Sequence, residues 1–318
     1  MKAVKVFEKG NSNVLKVVEV DRPHLKEGWS LVKVKGFGIN RSEIFTRKGY
    51  SPDVVFPRIL GIECVGIVEE STDKNNLPIG CKVVSIMGEM GRAYDGSYAE
   101  YVLLPNNQIY KVESNLSWSD FAAIPETYYT AFGSLKNLNI NKSDKVLVRG
   151  ATSGVGVAFA KLLKAKFPSI YLVGSTRKKN KITRLKSYGY DAVILDKEGV
   201  LDTNQSFDKI LELVGPAVIK DSISHLNEFG IICNTGLLGE SWYLEEFDPI
   251  IELKNNIYLT AFYSGEVNEE KLNEMFAYIK KYKVEIKPEK IFKLDEIAKA
   301  HDYLENNESF GKVVVVND

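Results

Sequence analysis

Residues 145–167 read KVLVRGATSGVGVAFAKLLKAKF, and this stretch decides the fold. KVLVRG (145–150) is a short apolar run closed by glycine, the pattern of a strand covered on both faces. VGVAFAKLLKAKF (155–167) places Val155, Phe159, Leu162 and Leu163 at helical spacing, with Lys161 and Lys164 outside. Between them lies Arg149-Gly150-Ala151-Thr152-Ser153-Gly154-Val155-Gly156. Small residues between a buried strand and a helix let a pyrophosphate approach backbone N–H groups at the positive end of the helix. Matched to GxGxxG, positions 151–156 read A-T-S-G-V-G, so Ala151 and Ser153 stand where the first two glycines would. The alternative reading is a tight turn with no ligand.

Further along, strand and helix patterns alternate. SIYLVGST (169–176), DAVILD (191–196), FDKILELVG (207–215), GIICNTG (230–236) and NIYLTAFY (256–263) read as strands. KKNKITRLKSYG (178–189) and a stretch reaching about 226 read as helices. This is a parallel, doubly wound α/β sheet with helices on both faces. Residues 1–120 differ. VLKVVEV (14–20), SLVKVKGFGI (30–39), CVGIVEE (64–70) and CKVVSI (81–86) are short Val- and Ile-rich strands bounded by turn residues, a barrel-like β unit. Ser119 and Asp120 are candidate helix caps, and Pro125 interrupts the helix that would follow. After 266 come an amphipathic helix to about 282, a helix over 294–305 and a last strand at 312–317. The expected organisation is a nucleotide-binding domain over 121–266, inserted into a β-rich domain of 1–120 that 267–318 completes.

An acidic residue about 20 positions beyond the turn usually marks NAD, because it holds the ribose 2′-hydroxyl. Here that place holds Ser175, Thr176, Arg177, Lys178, Lys179, Asn180 and Lys181, with no carboxylate. Cations at the start of a helix are unfavourable by a few tenths to ~1 kcal/mol, and a bound 2′-phosphate reverses the sign. The pattern therefore predicts NADP(H) over NAD(H). A solvated lysine-rich helix face is the other reading.

Composition narrows the classes. The 318 residues carry 42 Lys plus Arg against 42 Asp plus Glu, with 44% hydrophobic and 26% charged residues, which fits a folded chain and argues against a general nucleic-acid binder. Cys64, Cys81 and Cys233 are sparse and form no CxxC pair, so no disulfide framework is expected. MKAVKVFEKG (1–10) lacks the apolar stretch of a signal peptide, and no run reaches the ~18 apolar residues of a membrane span. The expectation is a cytoplasmic protein with no membrane partner.

Together, GFGINRSEIFTRKGY (36–50), PRILGIECVGIV (57–68), DGSYAEYVLLP (95–105), AAIPETYYTAF (122–132), RGATSGVG (149–156) and GKVVVV (311–316) resemble the medium-chain dehydrogenase/reductase superfamily, most of all its zinc-independent quinone oxidoreductase branch. The resemblance covers nearly the whole chain. It implies a GroES-like β domain, a Rossmann domain, an active site in the cleft between them and a homodimer. Zinc relatives use a Cys near the place held here by Asn40 or Arg41, and a His-Glu pair where this chain has Ile62-Glu63. Their lobe of four cysteines has no counterpart here, and His24, His225 and His301 lie far apart, so neither catalytic nor structural zinc is expected. Glu63 then reads as a hydrogen-bonding residue at a strand start, and Cys64 as a small buried hydrophobe.

Without a metal to polarise a carbonyl, the easiest hydride acceptor is an electron-poor π system such as a quinone or enone. The resemblance assigns Asn40 as a donor to the acceptor or the nicotinamide, Tyr50 as an aromatic reaching the substrate, and Thr130 as a contact of the nicotinamide ring. Each has a plain alternative: a turn asparagine, a packed or surface tyrosine, and a helix residue bonding its own backbone. The coenzyme set is Ala151, Thr152, Ser153, Gly154, Val155, Gly156, Ser175, Thr176, Arg177, Leu213, Thr235, Gly236, Phe262 and Tyr263, with Val214 beside Leu213 near the adenine ribose. Lys312 could reach the cofactor phosphates, but solvent exposure is the better reading. Two departures stand out. Some relatives have a tyrosine near 196 that helps to hold the 2′-phosphate, and here Asp196, a carboxylate, takes that place. Ser241-Trp242-Tyr243-Leu244 is an aromatic insert that shapes a pocket, covers a dimer edge or packs on its own domain. The leading function is an NADPH-dependent quinone reductase. The alternatives are a 2-alkenal or enoyl-thioester reductase and a non-catalytic NADPH-binding protein.

Overall fold

The structure is a computed structural model and describes residues 1–306 and 309–317; Asn307, Glu308 and Asp318 lie outside the described residues. The chain forms two compact units. One comprises Met1–Glu126, Gly265–Leu272 and Ile286–Asp318, and the other Thr127–Ser264 and Asn273–Glu285.

The first unit is built on one long strand, Trp29–Ile39. Val32, Val34, Phe37 and Ile39 enter its core, and the strand pairs with Glu63–Ser71, Tyr101–Pro105 and Val313–Val316. Lys82–Ile86, Tyr110–Lys111 and Lys290–Phe292 extend this mostly antiparallel sheet, and Lys2–Val6, Leu15–Glu19 and Arg58–Ile59 form a smaller one. This is the GroES-like β-rich architecture. Two glycines of the long strand sit where neighbours approach closely. A Cβ on Gly36 would lie 3.0 Å from Ala122 Cβ, and one on Gly38 would lie 2.0 Å from Lys312 Cε. The helix expected near 119–132 is split. Ser117, rather than Ser119 or Asp120, caps Trp118–Ala122 by accepting the Asp120 N–H, and Pro125 opens a second helix, Pro125–Asn137.

The second unit carries a seven-stranded sheet, counted over the described residues. Its order is Val200–Leu201, Ala192–Lys197, Tyr171–Thr176, Lys145–Arg149, Phe207–Glu212, Leu226–Asn234 and Tyr258–Ala261. All neighbours are parallel except the first pair, which is antiparallel. The order reverses beside Lys145–Arg149, the switch point of a doubly wound Rossmann sheet, where ligands meet the carboxyl ends of strands. Leu147, Val173, Phe207, Ile210 and Ile232 are buried in its core. The stretch 178–189 departs from expectation. It holds only a 3₁₀ turn, Lys179–Lys181, and a six-residue helix, Ile182–Ser187, so Arg177 and Lys178 precede the helix instead of occupying its first turn.

Phe207 is wholly buried at the start of its strand. Truncating it to alanine should cost about 3–5 kcal/mol through lost burial and the cavity left behind. Tyr258→Ala, on the outer strand at 56% exposure, should change stability by no more than ~0.5 kcal/mol. Urea unfolding of both variants checks the contrast.

Candidate functional site

In the second unit the glycine turn joins Lys145–Arg149 to the helix Gly154–Lys166. Gly150 turns the chain at φ +81°, a region that L side chains rarely enter. Ser153 caps the helix by accepting the Gly156 N–H at 3.1 Å. Gly156 is held against Ala151, whose carbonyl oxygen would lie 2.8 Å from any Cβ placed there. Ala151 is fully buried, and a Cβ on Gly174 of the next strand would come within 2.8 Å of Ala151 Cβ. The room that a first glycine would give at 151 is thus supplied by Gly174. Gly150 N–H donates to Ser175 Oγ at 3.2 Å and Ala151 N–H to Ser175 O at 3.3 Å, so Ser175 shapes the turn directly. Among the described residues, no protein group accepts the N–H of Thr152, Gly154 or Val155. Three N–H groups at the start of a 13-residue helix are what an anion such as a pyrophosphate needs.

The neighbouring strand ends supply the rest. Thr176 is buried, and its hydroxyl accepts the Lys178 N–H at 3.2 Å. Arg177 is exposed. Leu213 is buried under Gly150, and a Cβ on Gly236 would lie 2.1 Å from Leu213 O, so those two strand ends are tightly joined. Thr130 is buried on Pro125–Asn137, and its carbonyl accepts from Ser134 Oγ at 2.7 Å. Ser134 also meets Thr235 Oγ1 at 2.9 Å. Phe262 packs on Tyr129, with ring centroids 5.8 Å apart, and fills the place of a Cβ at Gly133. The fold thus gathers Thr130, Thr235 and Phe262 in one region, while Tyr263 points outward at 67% exposure. Ser134 and Tyr129 were missed by sequence reasoning. Their only signal is helical spacing around Thr130. Of the aromatic insert, Tyr243 is 79% exposed and Leu244 packs on the core of the second unit.

At the base of the sheet ends, Arg149 is wholly buried and donates to Asp196 Oδ2 at 2.9 Å and Asp221 Oδ2 at 2.7 Å. Glu212 is buried beside it, accepting from Ser222 Oγ and from the N–H groups of Val214 and Gly215. Burial pushes Glu212 up to about 7, although the Ser222 hydroxyl and Arg149 pull it the other way.

In the first unit, Asn40 sits at the N-cap of Arg41–Lys48, and Glu43 closes the capping box. Asn40 Nδ2 donates to Glu63 Oε1 at 2.8 Å and to Glu43 Oε1 at 3.3 Å, and Asn40 Oδ1 accepts from Lys312 Nζ at 2.5 Å. Both amide hydrogens are therefore engaged within the protein. Lys312 also donates to Glu63 Oε1 at 2.6 Å, and Glu63 Oε2 accepts the Glu126 N–H at 2.8 Å. Lys312 is 6% exposed, which corrects the expectation of a solvated lysine. Its partner Glu63 lies 249 positions away in sequence and opens a strand, the role expected of it. Cys64 is buried, and burial pushes its thiol up to about 12. Burial, then the Glu63 carboxylate, push Glu43 up to about 8, so it is mostly protonated at neutral pH. Tyr50 is half-exposed beside Phe45. His301 is buried between Arg47 and Tyr98, and burial with the Arg47 charge lowers it to about 3.

A family described as "Zinc-binding dehydrogenase" matches residues 188–315, and one described as "Alcohol dehydrogenase GroES-like domain" matches 26–114. Quinone oxidoreductase of Homo sapiens is 28% identical over 249 residues, covering 75% of this chain and 74% of that protein. These matches support the medium-chain dehydrogenase/reductase superfamily and its quinone oxidoreductase-like branch. 2-Methylene-furan-3-one reductase of Solanum lycopersicum is 27% identical over 326 residues, covering 99% of this chain and 79% of that protein. The solved quinone oxidoreductase of Coxiella burnetii superposes with a TM-score of 0.85 at 27% identity, over 100% of this chain and 99% of that one.

The buried polar group of the first unit gives two tests. Removing one partner of a buried ion pair strands the other, so Lys312→Met should cost about 3–5 kcal/mol, and adding Glu63→Gln should recover most of it. Both are read by urea unfolding. Folded Glu43 keeps its proton up to about pH 8, whereas the ordinary value is 4.5. The folded state therefore binds the extra proton between those values and loses stability as pH rises through that window. Glu43→Gln should fall less steeply than the parent between pH 5 and pH 9 in the same measurement.

Proposed function

We propose that the protein is an NADPH-dependent reductase that delivers hydride to quinones or related electron-poor carbonyl compounds without zinc. The observation that carries this reading is the glycine turn, where three N–H groups without a protein acceptor stand at the start of a long helix, with exposed Arg177 at the next strand end. The pyrophosphate would be held by the N–H groups of Thr152, Gly154 and Val155, and the 2′-phosphate by Arg177 with the backbone and hydroxyls of Ser175 and Thr176. Bound NADPH supplies a hydride, which polar acceptors without a metal receive best when already electron-poor. Thr130 and Phe262 are assigned to the nicotinamide end, and Tyr50 to the acceptor. Asn40 is assigned a positioning role, because its amide hydrogens are held by Glu43 and Glu63.

The donor chemistry supports a zinc-free reaction. Glu63 is paired with the Lys312 ammonium, and Cys64 is a buried thiol. The proposal includes a cytoplasmic homodimer. Three free cysteines suit a reducing compartment, and Tyr258–Ala261 ends its sheet with one side unpaired among the described residues. No helix among those residues is long and apolar enough to cross a membrane. A second reading, reduction of an α,β-unsaturated carbonyl such as a 2-alkenal or enoyl thioester, is favoured by the similarity to the tomato furanone reductase over 99% of this chain.

NADPH consumption should be measured over quinones, 2-alkenals and enoyl thioesters, with and without chelator. Turnover that survives chelation is expected with quinones, whereas turnover confined to the unsaturated substrates supports the second reading. Tight NADPH binding without any turnover points to a non-catalytic role. Arg177→Ala should weaken NADPH binding by about tenfold and leave NADH nearly unchanged.

A further inference from the structure

A carboxylate beside the 2′-phosphate would oppose the coenzyme assigned above, and Asp196 is placed to provide one. The strands Tyr171–Thr176 and Ala192–Lys197 are parallel, with Thr176 opposite Leu195. Thr176 is the last residue of its strand, so Arg177 follows directly beyond that pair, as Asp196 follows Leu195. An exposed arginine beside an aspartate would ordinarily pair with it. Here the aspartate is already engaged. Asp196 Oδ2 accepts from Arg149 Nε at 2.9 Å, and Oδ1 accepts the Gly199 N–H at 3.1 Å. Its side chain is 8% exposed. Arg149 is itself fixed from every side. It donates to Asp221 Oδ2 at 2.7 Å, Ser222 Oγ at 2.8 Å, Val218 O at 3.1 Å and Gly199 O at 2.8 Å. Arg177, in contrast, makes no ion pair or hydrogen bond among the described residues.

We propose that Arg149 sets the coenzyme preference: by holding the Asp196 carboxylate inward, it leaves Arg177 unpaired for a ribose 2′-phosphate. The inference rests on the NADPH reading and adds a specificity-determining residue that does not itself touch the coenzyme. Arg149 is a positioning residue, and its effect passes through one carboxylate. If that carboxylate is released, Asp196 swings to Arg177, neutralises it and repels the phosphate. If the carboxylate is also removed, Arg177 is freed again. A merely structural role for Arg149 has no such rescue, because an anchor lost from the strand end stays lost.

The test is the ratio of NADPH to NADH dissociation constants, read by nicotinamide fluorescence, for the parent chain, Arg149→Met, Asp196→Asn and the double variant. The parent should favour NADPH by about tenfold or more. Arg149→Met should lose most of that preference, and Arg149→Met/Asp196→Asn should regain it to within about threefold. Asp196→Asn alone should keep or raise the preference. If Arg149→Met does not fold, Arg149→Lys makes the same comparison, because a single ammonium cannot replace the fork that reaches Asp196, Asp221 and Gly199 O together. A parent chain that binds NADH as tightly as NADPH overturns the NADPH reading itself. A parent that prefers NADPH, with Arg149 variants that keep the preference or a double variant that fails to regain it, overturns this inference alone.

Discussion

A guanidinium sealed from water holds together the carboxyl ends of the strands that carry the glycine turn. Arg149 closes the central strand of the doubly wound sheet and reaches the end of the next-but-one strand, the turn at Gly199 and the helix Ile219–Ser224. A buried cation is tolerated only when its donors are satisfied, and here Nε and both terminal nitrogens have acceptors. The glycine turn begins at the very next residue, so its backbone is positioned by a strand end that cannot shift without stranding charge. The same contacts decide which charges face outward near the turn.

The first unit repeats the device with opposite geometry. Lys312, on the last strand, reaches across the long central strand to Glu63 and Asn40 through a gap that exists only because residue 38 is glycine. Two carboxyls, one ammonium and one amide bond one another, with Glu43 keeping its proton to limit the net charge. An internal cation thus accompanies the carboxylate of Glu63. In both units a buried charge is compensated by a residue distant in sequence.

The alternation of strands and helices, the switch point and the β-rich first half were legible, because periodicity and glycine punctuation are local properties. The turn was legible despite Ala151, since strand and helix framed it; why alanine fits was not, because Gly174, which makes the room, belongs to another strand. Arg149 and Lys312 look like ordinary charged residues flanking apolar strands. Only the tertiary pairing with Asp196 and Glu63 turns them into buried cations, and those partners lie 47 and 249 positions away. The lysine-rich stretch after Thr176 promised a longer helix than the six residues that form, since the sequence there lacks a side-chain cap.

The central claim is that this sheet end selects a 2′-phosphate. Isothermal titration with adenosine 2′,5′-bisphosphate against adenosine 5′-monophosphate isolates that group from the nicotinamide and from turnover. The account predicts that the bisphosphate binds at least about tenfold more tightly and that rising salt erodes the difference. Equal affinity for the two ligands at low salt would contradict it.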